Sequence, residues 1–214
     1  MARMKRTYLI TFATVITASL LAGCSDPADK VHKSDASAPK DTAATTAASK
    51  TFVVRPESKI GFVGSKVTGS HEGGFTNFSG TVSLADGKVV APTEIKITMA
   101  STWSDAEKLT GHLKSPDFFD TEKFPTSTFM LTSVEPATDG SSKVTGNLAL
   151  HGVTNSISFP AKIEVAEASL TVKAEFAINR KDFAINYPGK ADDLIRDNVV
   201  IKLDLSAAPG EARP

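Results

Sequence analysis

The chain of 214 residues has very little cysteine, and this excludes one common route to stability. Cys24 is its only cysteine, so no disulfide can form within one chain and the folded part has to be held by its own apolar core. Tryptophan and tyrosine are also scarce, at one and two residues, and 24 basic residues are balanced by 24 acidic ones. Without a basic stripe to neutralise phosphates, we expect no nucleic acid partner.

The common motifs of hydrolytic and metal-dependent enzymes are absent from the sequence as well. It contains neither a GxSxG nucleophile elbow nor an HExxH metal motif. His71, His112 and His151 lie far apart in sequence, so a metal site built from them requires that folding bring them together. Triad partners need to be close only in space, and this keeps an enzyme open as the third hypothesis. We expect no catalytic residue, no metal ligand and no cofactor.

The first 24 residues have the pattern of a bacterial export signal. Arg3, Lys5 and Arg6 precede an apolar run that ends in small residues. The run is short for a membrane span and contains several threonines, so a transmembrane anchor is the weaker interpretation. The LAGC sequence at residues 21–24 resembles the lipobox of bacterial lipoproteins, which implies cleavage of residues 1–23 and acylation of Cys24 by diacylglycerol and a fatty acid such as palmitate. More than one acyl chain is enough for stable membrane attachment.

Residues 24–50 are predicted to form a flexible tether behind the lipidated cysteine. They are rich in Ala, Ser, Thr, Asp and Lys, contain no aromatic residue, and cannot bury enough apolar surface to fold alone. A random coil of this length has a typical reach of about 28 Å. Removal of residues 1–23 changes the balance from 24 against 24 to 21 basic against 24 acidic residues. Ser25 in place of aspartate favours the outer membrane, with the protein facing the periplasm.

Alternating apolar and polar residues from residue 51 onward predict a single domain of antiparallel strands over residues 51–208, with a disordered tail at 209–214. The pattern is clearest at residues 93–99, 170–178 and 199–205, where one face is apolar and the other is polar. Asp-Gly pairs at residues 86–87 and 139–140 tolerate the positive φ of hairpin turns, and HGVTN at residues 151–155 indicates another hairpin.

These patterns give an all-β fold class of about eight strands, with one or two short helices between residues 104 and 125. A sheet of that size with one apolar face closes as a barrel or folds as a sandwich, and the pattern alone does not decide between them. An eight-stranded barrel is just wide enough to be filled by side chains or to hold one small ligand.

Four stretches resemble the YceI-like family of bacterial exported proteins. They are HLKSPDFF at residues 112–119 with FPTSTF at 124–129, VTGNLALHGVT at 144–154, INRKDF at 178–183, and GFTNFSG at 74–80. Their order and spacing match the family, and the likeness extends from about Phe52 to Leu205. It implies a single antiparallel, lipocalin-like β-barrel whose elongated apolar cavity takes a polyisoprenoid, such as an isoprenoid quinone or a polyprenyl phosphate. Most members are soluble periplasmic proteins, so the lipobox departs from the family pattern.

The leading hypothesis is a non-enzymatic, membrane-tethered carrier or scavenger of an isoprenoid lipid. A cavity for such a ligand needs apolar walls and hydrogen-bond donors at its mouth. The candidate mouth residues are His112, Lys114, Asn179 and Arg180. The candidate wall residues are Phe62, Phe75, Phe78, Phe118, Phe119, Phe129, Leu148, Leu150, Phe159, Phe176, Ile178 and Phe183. The second hypothesis is an envelope stress or interaction module with a filled barrel, and the oligomeric state is left open, a homodimer included.

Overall fold

A computed structural model of the protein describes residues 25–42 and 50–210. Cys24, the leader at residues 1–23, residues 43–49 and residues 211–214 lie outside this part. Strands make up more than half of the described chain, which also has one α-helix, α1 (Glu107–Lys114), and 3₁₀ turns at Pro27–Lys30, Met99–Ser101 and Arg180–Phe183. The strands are β1 (His32–Ser34), β2 (Lys50–Val54), β3 (Lys59–Lys66), β4 (Gly69–Phe75), β5 (Phe78–Ala85), β6 (Lys88–Thr98), β7 (Thr102–Ser104), β8 (Thr126–Pro136), β9 (Ser142–Leu150), β10 (Val153–Val165), β11 (Leu170–Asn179), β12 (Gly189–Lys190), β13 (Asp193–Leu194) and β14 (Asn198–Pro209).

The strands form a closed eight-stranded antiparallel barrel, which confirms the predicted fold class and selects the barrel over the sandwich. The eight strands of the barrel are called here staves. Six of them are β6, β8, β9, β10, β11 and β14. The other two are long, bent and interrupted once: one consists of β2 and β3, and the other consists of β4 and β5. Strand β14 closes the barrel because it pairs with β11 along one edge and with both β3 and β2 along the other.

Tight turns join neighbouring staves where the sequence supplies residues that accept a positive φ. Asp86 and Gly87 have φ values of 51° and 71°, and His151 and Gly152 have values of 51° and 77°. A two-residue turn with positive φ at both positions suits the twist of a hairpin. The predicted hairpins at residues 86–87 and 151–155 are therefore present, as is the turn around Gly140.

The barrel interior is apolar, and its two ends are closed by different means. At one end, called here the far end, Phe52, Leu84 and Leu170 are buried against each other and fill the lumen. At the other, called the cap end, Leu113 of α1 and Phe118 pack with Phe62 and Ile185. One α-helix forms where one or two were predicted, and residues 115–124 make hydrogen-bonded turns. Within the described residues, no helix combines the length and hydropathy needed to cross a bilayer.

Residues 25–42, which lie within the predicted tether, are docked on the outside of the barrel. This segment, called here the strap, contains a 3₁₀ turn and then β1, which pairs in parallel with β11 at Phe176, Ala177 and Ile178. Strand β10 pairs with the same edge of β11 only from Leu170 to Lys173. The strap thus occupies the gap where β10 and β11 separate.

The strap is held mainly by short polar side chains. Because the segment contains few apolar residues, its composition gave no indication that it docks on the barrel. The Ser34 hydroxyl accepts a hydrogen bond from the Ser158 amide, and Lys40 exchanges two hydrogen bonds with the side-chain amide of Asn147. The buried Asp26 carboxylate accepts from the Ser65 hydroxyl. Ala28 packs against apolar side chains on the outer face of the barrel, so the strap uses apolar surface that the barrel supplies.

Substituting Ala28 by lysine should release the strap. Ala28 is fully buried against Val63, Ala177 and Val200, so a long charged side chain there overpacks the contact and should cost about 1–3 kcal/mol of docking free energy. Hydrogen exchange followed by mass spectrometry should show faster exchange at residues 32–37 while the barrel ladders stay protected. Ala38→Lys, at an exposed position of the same segment, is the control. Equal protection of residues 32–37 in both variants would contradict the docked strap.

Candidate ligand-binding cavity

An apolar cavity of about 240 Å³ runs inside the barrel between the two closed ends. Near the cap end it is bordered by Leu113, Phe118 and Ile185, and toward the far end by Val82 and Leu205. Side chains at alternating positions of the staves line the space between, as the period of two along a strand requires.

The interior is open and not filled by side chains. Several inward-facing residues, among them Phe129, Leu148 and Leu203, remain only partly buried because they border this space. Gly64 also lines the cavity, and a Cβ atom placed on it would meet no other atom within 4 Å. A barrel whose core was completely packed would leave no such space next to a wall residue.

Among the residues that the structure describes, three polar side chains line the cavity, and each already has a partner in the protein. Thr93 donates to the Val90 carbonyl, and Ser127 donates to the Ala149 carbonyl. Arg180, which is 4% exposed, donates from Nε, Nη1 and Nη2 to the carbonyl oxygens of Arg196, Ile185 and Ile195. The wall is therefore suited to an apolar chain and offers a buried charged group little compensation for its lost hydration.

Arg180 is a structural cation that fastens the loop at residues 184–197 onto the cap end. Burial lowers the pKa of its guanidinium, and Asp197, whose carboxylate lies 3.5 Å from Nη2, opposes that shift. An arginine stays charged under these conditions. Of the four predicted mouth residues, Arg180 is the one that lines the cavity.

The other three predicted mouth residues lie outside the cavity lining. His112 bonds through Nε2 to Asp117, at 2.8 Å, and its ring contacts those of Phe118 and Tyr187. Asn179 caps the 3₁₀ turn at Arg180–Phe183 by accepting from the Lys181 amide. The carbonyl of Lys114 accepts a hydrogen bond from the Thr121 amide. The side chains of His112 and Asn179 thus have local structural partners, and contact of all three residues with a lipid head stays a prediction.

Ten of the twelve predicted wall residues lie on the cavity surface. Phe159 and Phe176 stack with ring centroids 4.0 Å apart and form one part of the wall. Phe183 is fully buried behind the wall, where it packs with Phe176 and Ile178, and Phe78 lies on a groove outside the cavity. The role of the ten residues in binding stays a prediction.

Several residues of the cavity wall were not among the predicted ones. Ile185 and Ile195 belong to the loop between β11 and β14, and Leu113 lies on α1. Ile201 and Leu203 were visible in the alternating pattern of the last strand but were assigned only to the core. The loop residues carried no periodic signal, since a loop has none.

The histidines of the barrel do not come together. His71 bonds to Asp105 at 2.8 Å, His112 bonds to Asp117, and His151 bonds to the Phe183 carbonyl while its ring packs on Phe124. The Glu72 amide and His71 lower the pKa of Asp105 by hydrogen bonding to its carboxylate. Among residues 25–42 and 50–210, no three His, Cys, Asp or Glu side chains are grouped as metal ligands.

Known proteins share this architecture. A solved structure of BcnA from Burkholderia cenocepacia is similar with a TM-score of 0.63 and 25% identity, over 71% of this chain and 97% of that one. A structure described as a polyisoprenoid binding domain from Saccharophagus degradans has a TM-score of 0.62 at 17% identity, over 75% of this chain and 99% of that one. The second likeness concerns the fold alone.

Sequence comparison agrees with the structural one. A UPF0312 protein of Pseudomonas putida is 33% identical over 124 residues, which is 55% of this chain and 65% of the relative. A UPF0312 protein of Shewanella sp. (strain ANA-3) is 37% identical over 90 residues, or 42% of this chain and 47% of the relative. The matches thus span less than two thirds of these relatives. The profile of the YceI-like domain matches residues 52–207, the whole barrel, and the chain belongs to the YceI-like family.

Proposed function

We propose that this protein is a non-enzymatic carrier or scavenger that encloses the chain of a polyisoprenoid lipid in its barrel. The lipid is an isoprenoid quinone or a polyprenyl phosphate. In this proposal Cys24 carries an acyl anchor that holds the protein on a membrane of the bacterial envelope, facing the periplasm, with the outer membrane favoured.

The observation that carries the proposal is the open, apolar cavity whose three polar lining side chains are all bonded to the protein. Burial of hydrocarbon in such a space contributes about 0.8 kcal/mol of binding free energy per methylene-sized group. The chain of the lipid, and not its head, then dominates the affinity. A domain of the same fold from Saccharophagus degradans is described as polyisoprenoid binding, and the proposal extends that ligand class to this chain.

The size of the cavity sets how much of a lipid it takes in this conformation. At about 240 Å³ it lies just below the range of about 300–1,000 Å³ that is typical of pockets for small ligands. A long isoprenoid chain therefore fits only in part, and the rest of the molecule, with its head, extends out of the barrel.

The docked strap supports a fixed position of the anchor relative to the barrel. Asp26 contacts Ser65 and lies 3.9 Å from Arg196, next to the loop that closes the cap end. Cys24 precedes Asp26 by two residues, which span at most about 7 Å of extended chain. An acyl group on Cys24 would therefore place the cap end nearest the membrane.

The two competing hypotheses are less well supported. An interaction module with a filled barrel does not account for the open interior beside Gly64. A metal-dependent or hydrolytic enzyme would be supported by a cluster of titratable side chains in the cavity, but within residues 25–42 and 50–210 the titratable residue of the lining is Arg180.

Lipid extraction tests the ligand class directly. We expect organic extracts of the full chain, purified from bacterial membranes, to contain an isoprenoid quinone or a polyprenyl phosphate at a near-equimolar ratio, as measured by mass spectrometry. Intact-mass measurement of the same sample should show a chain that begins at an acylated Cys24. Absence of any lipid, together with no uptake of added quinone or polyprenyl phosphate, would contradict the carrier, whereas an unmodified Cys24 would contradict only the anchor.

Filling the cavity at Gly64 should abolish binding without unfolding the barrel. The leucine side chain of Gly64→Leu enters open space, so we expect an unchanged circular dichroism spectrum and at least about a tenfold weaker affinity, or 1.4 kcal/mol, for the extracted lipid. Gly111→Leu is the matched control, because Gly111 is exposed on α1 and also has free space around it. Unchanged affinity in a folded Gly64→Leu variant would exclude this cavity as the binding site.

A further inference from the structure

The barrel wall has a break on one side, at the point where β14 changes partner. The ladder of β14 with β3 ends at the Asp204–Lys59 pair, and the ladder with β2 begins at the Ala207–Val54 pair. Four residues, 55–58, therefore stand opposite only two on β14 and form a bulge. They are held there by hydrogen bonds of the Arg55 amide and the Ser58 hydroxyl to the Ser206 carbonyl.

At the same height along the barrel, the bent stave of β2 and β3 also separates from the bent stave of β4 and β5. Pairing of β3 with β4 ends at Ile60 and Phe75, and pairing of β2 with β5 resumes at Val53 and Thr81. The result is a groove of about 1270 Å³ on the outside of the barrel. Its position coincides with the interruption of both bent staves.

The groove and the internal cavity share part of their walls. Ile60, Gly61, Phe62, Phe75 and Leu203 line both spaces, so the separation between them is made by side chains and not by a continuous strand ladder. Phe75 and Phe78, both half-buried, lie on this floor. At the ends of the barrel, by contrast, the lumen is closed by the packed cap and far-end clusters.

The rim of the groove supplies the polar groups that the cavity lacks. Lys59, Lys96 and Lys202 line it together with the carboxylates of Glu72 and Glu94. Lys202 pairs with Glu72 at 3.3 Å, and both side chains are exposed and therefore weakly bound to each other. Ammonium groups in this setting remain available to an oxygen acceptor.

Trp103 also lies on the groove and is the single tryptophan of the chain. It is 43% exposed and stands opposite Gly74 on β4, where a Cβ atom would come within 3.1 Å of its indole nitrogen. An amphipathic ring with a free apolar face next to a polar rim suits contact with a ligand that has both characters.

We propose that this groove is the side entrance of the cavity and that it holds the oxygen-bearing head of the bound lipid beside Trp103 and Lys202. The inference rests on the proposed function. It replaces the predicted head site around His112 and Lys114. The isoprenoid chain passes between Phe75 and Leu203 into the barrel, and the carbonyl or phosphate oxygens of the head meet the lysines of the rim.

The single tryptophan makes the head position measurable. Quinone rings quench tryptophan fluorescence at short range, so decylubiquinone should quench Trp103 strongly and with the same dissociation constant that equilibrium dialysis gives. In the matched variant Trp103→Phe with Tyr187→Trp, the tryptophan reports from the cap end, where Tyr187 contacts His112, and quenching should be weak. Strong quenching at position 187 and weak quenching at position 103 would overturn the proposal. Absence of binding in dialysis would instead count against the proposed function itself.

Charge removal on the rim tests the same site and identifies the head. Lys96→Gln with Lys202→Gln should weaken binding of farnesyl phosphate at least about tenfold if phosphate is the natural head. If a quinone is the natural head, the same double substitution should weaken binding of decylubiquinone more than binding of farnesyl phosphate. Lys162→Gln, an exposed lysine on β10 outside the groove, is the control and should change neither. Unchanged affinity of the doubly substituted variant for both ligands would contradict a head site in the groove.

Discussion

The structure depends on the backbone pairing of β14, since this strand closes the barrel by bonding to β11 on one edge and to β3 and β2 on the other. The closed sheet creates an interior, and the exchange of partner between Asp204 and Ala207 interrupts the wall on the side of β2 and β3. The pairing of β14 therefore accounts for both the cavity and the groove. The far-end and cap clusters only determine where the cavity stops.

In the proposed binding mode, the interior and the groove divide the recognition of the lipid between them. The polar groups of the cavity wall are all committed to the fold, so the interior can select a ligand by the length and shape of its hydrocarbon but not by its charge. The lysines and carboxylates outside can select a head but bury little hydrocarbon. Two chemically different heads on the same chain would therefore be distinguished only outside the barrel.

Alternation predicted the strands and their apolar faces because it is a local signal that a strand has to satisfy, whereas the barrel was implied by the family-like stretches. Residues 170–178 and 199–205 turn their apolar members inward, as expected. The mouth residues could not be predicted in this way, since the sequence does not show that Asn179 caps a turn or that Arg180 is engaged by three carbonyls. The strap and the groove depend on contacts across more than 100 residues, and no local pattern of the chain records them.

The strap also determines what the barrel presents to other strands. Where β10 and β11 separate, backbone amides and carbonyls would otherwise face solvent as an open edge, which is a template for strand addition by another chain. β1 and the antiparallel bridge between Ser37 and Ser156 occupy that edge with a segment of the same molecule. A chain that begins after residue 42 would keep its barrel but lose this protection, and strands of neighbouring copies could then exchange into the free edge.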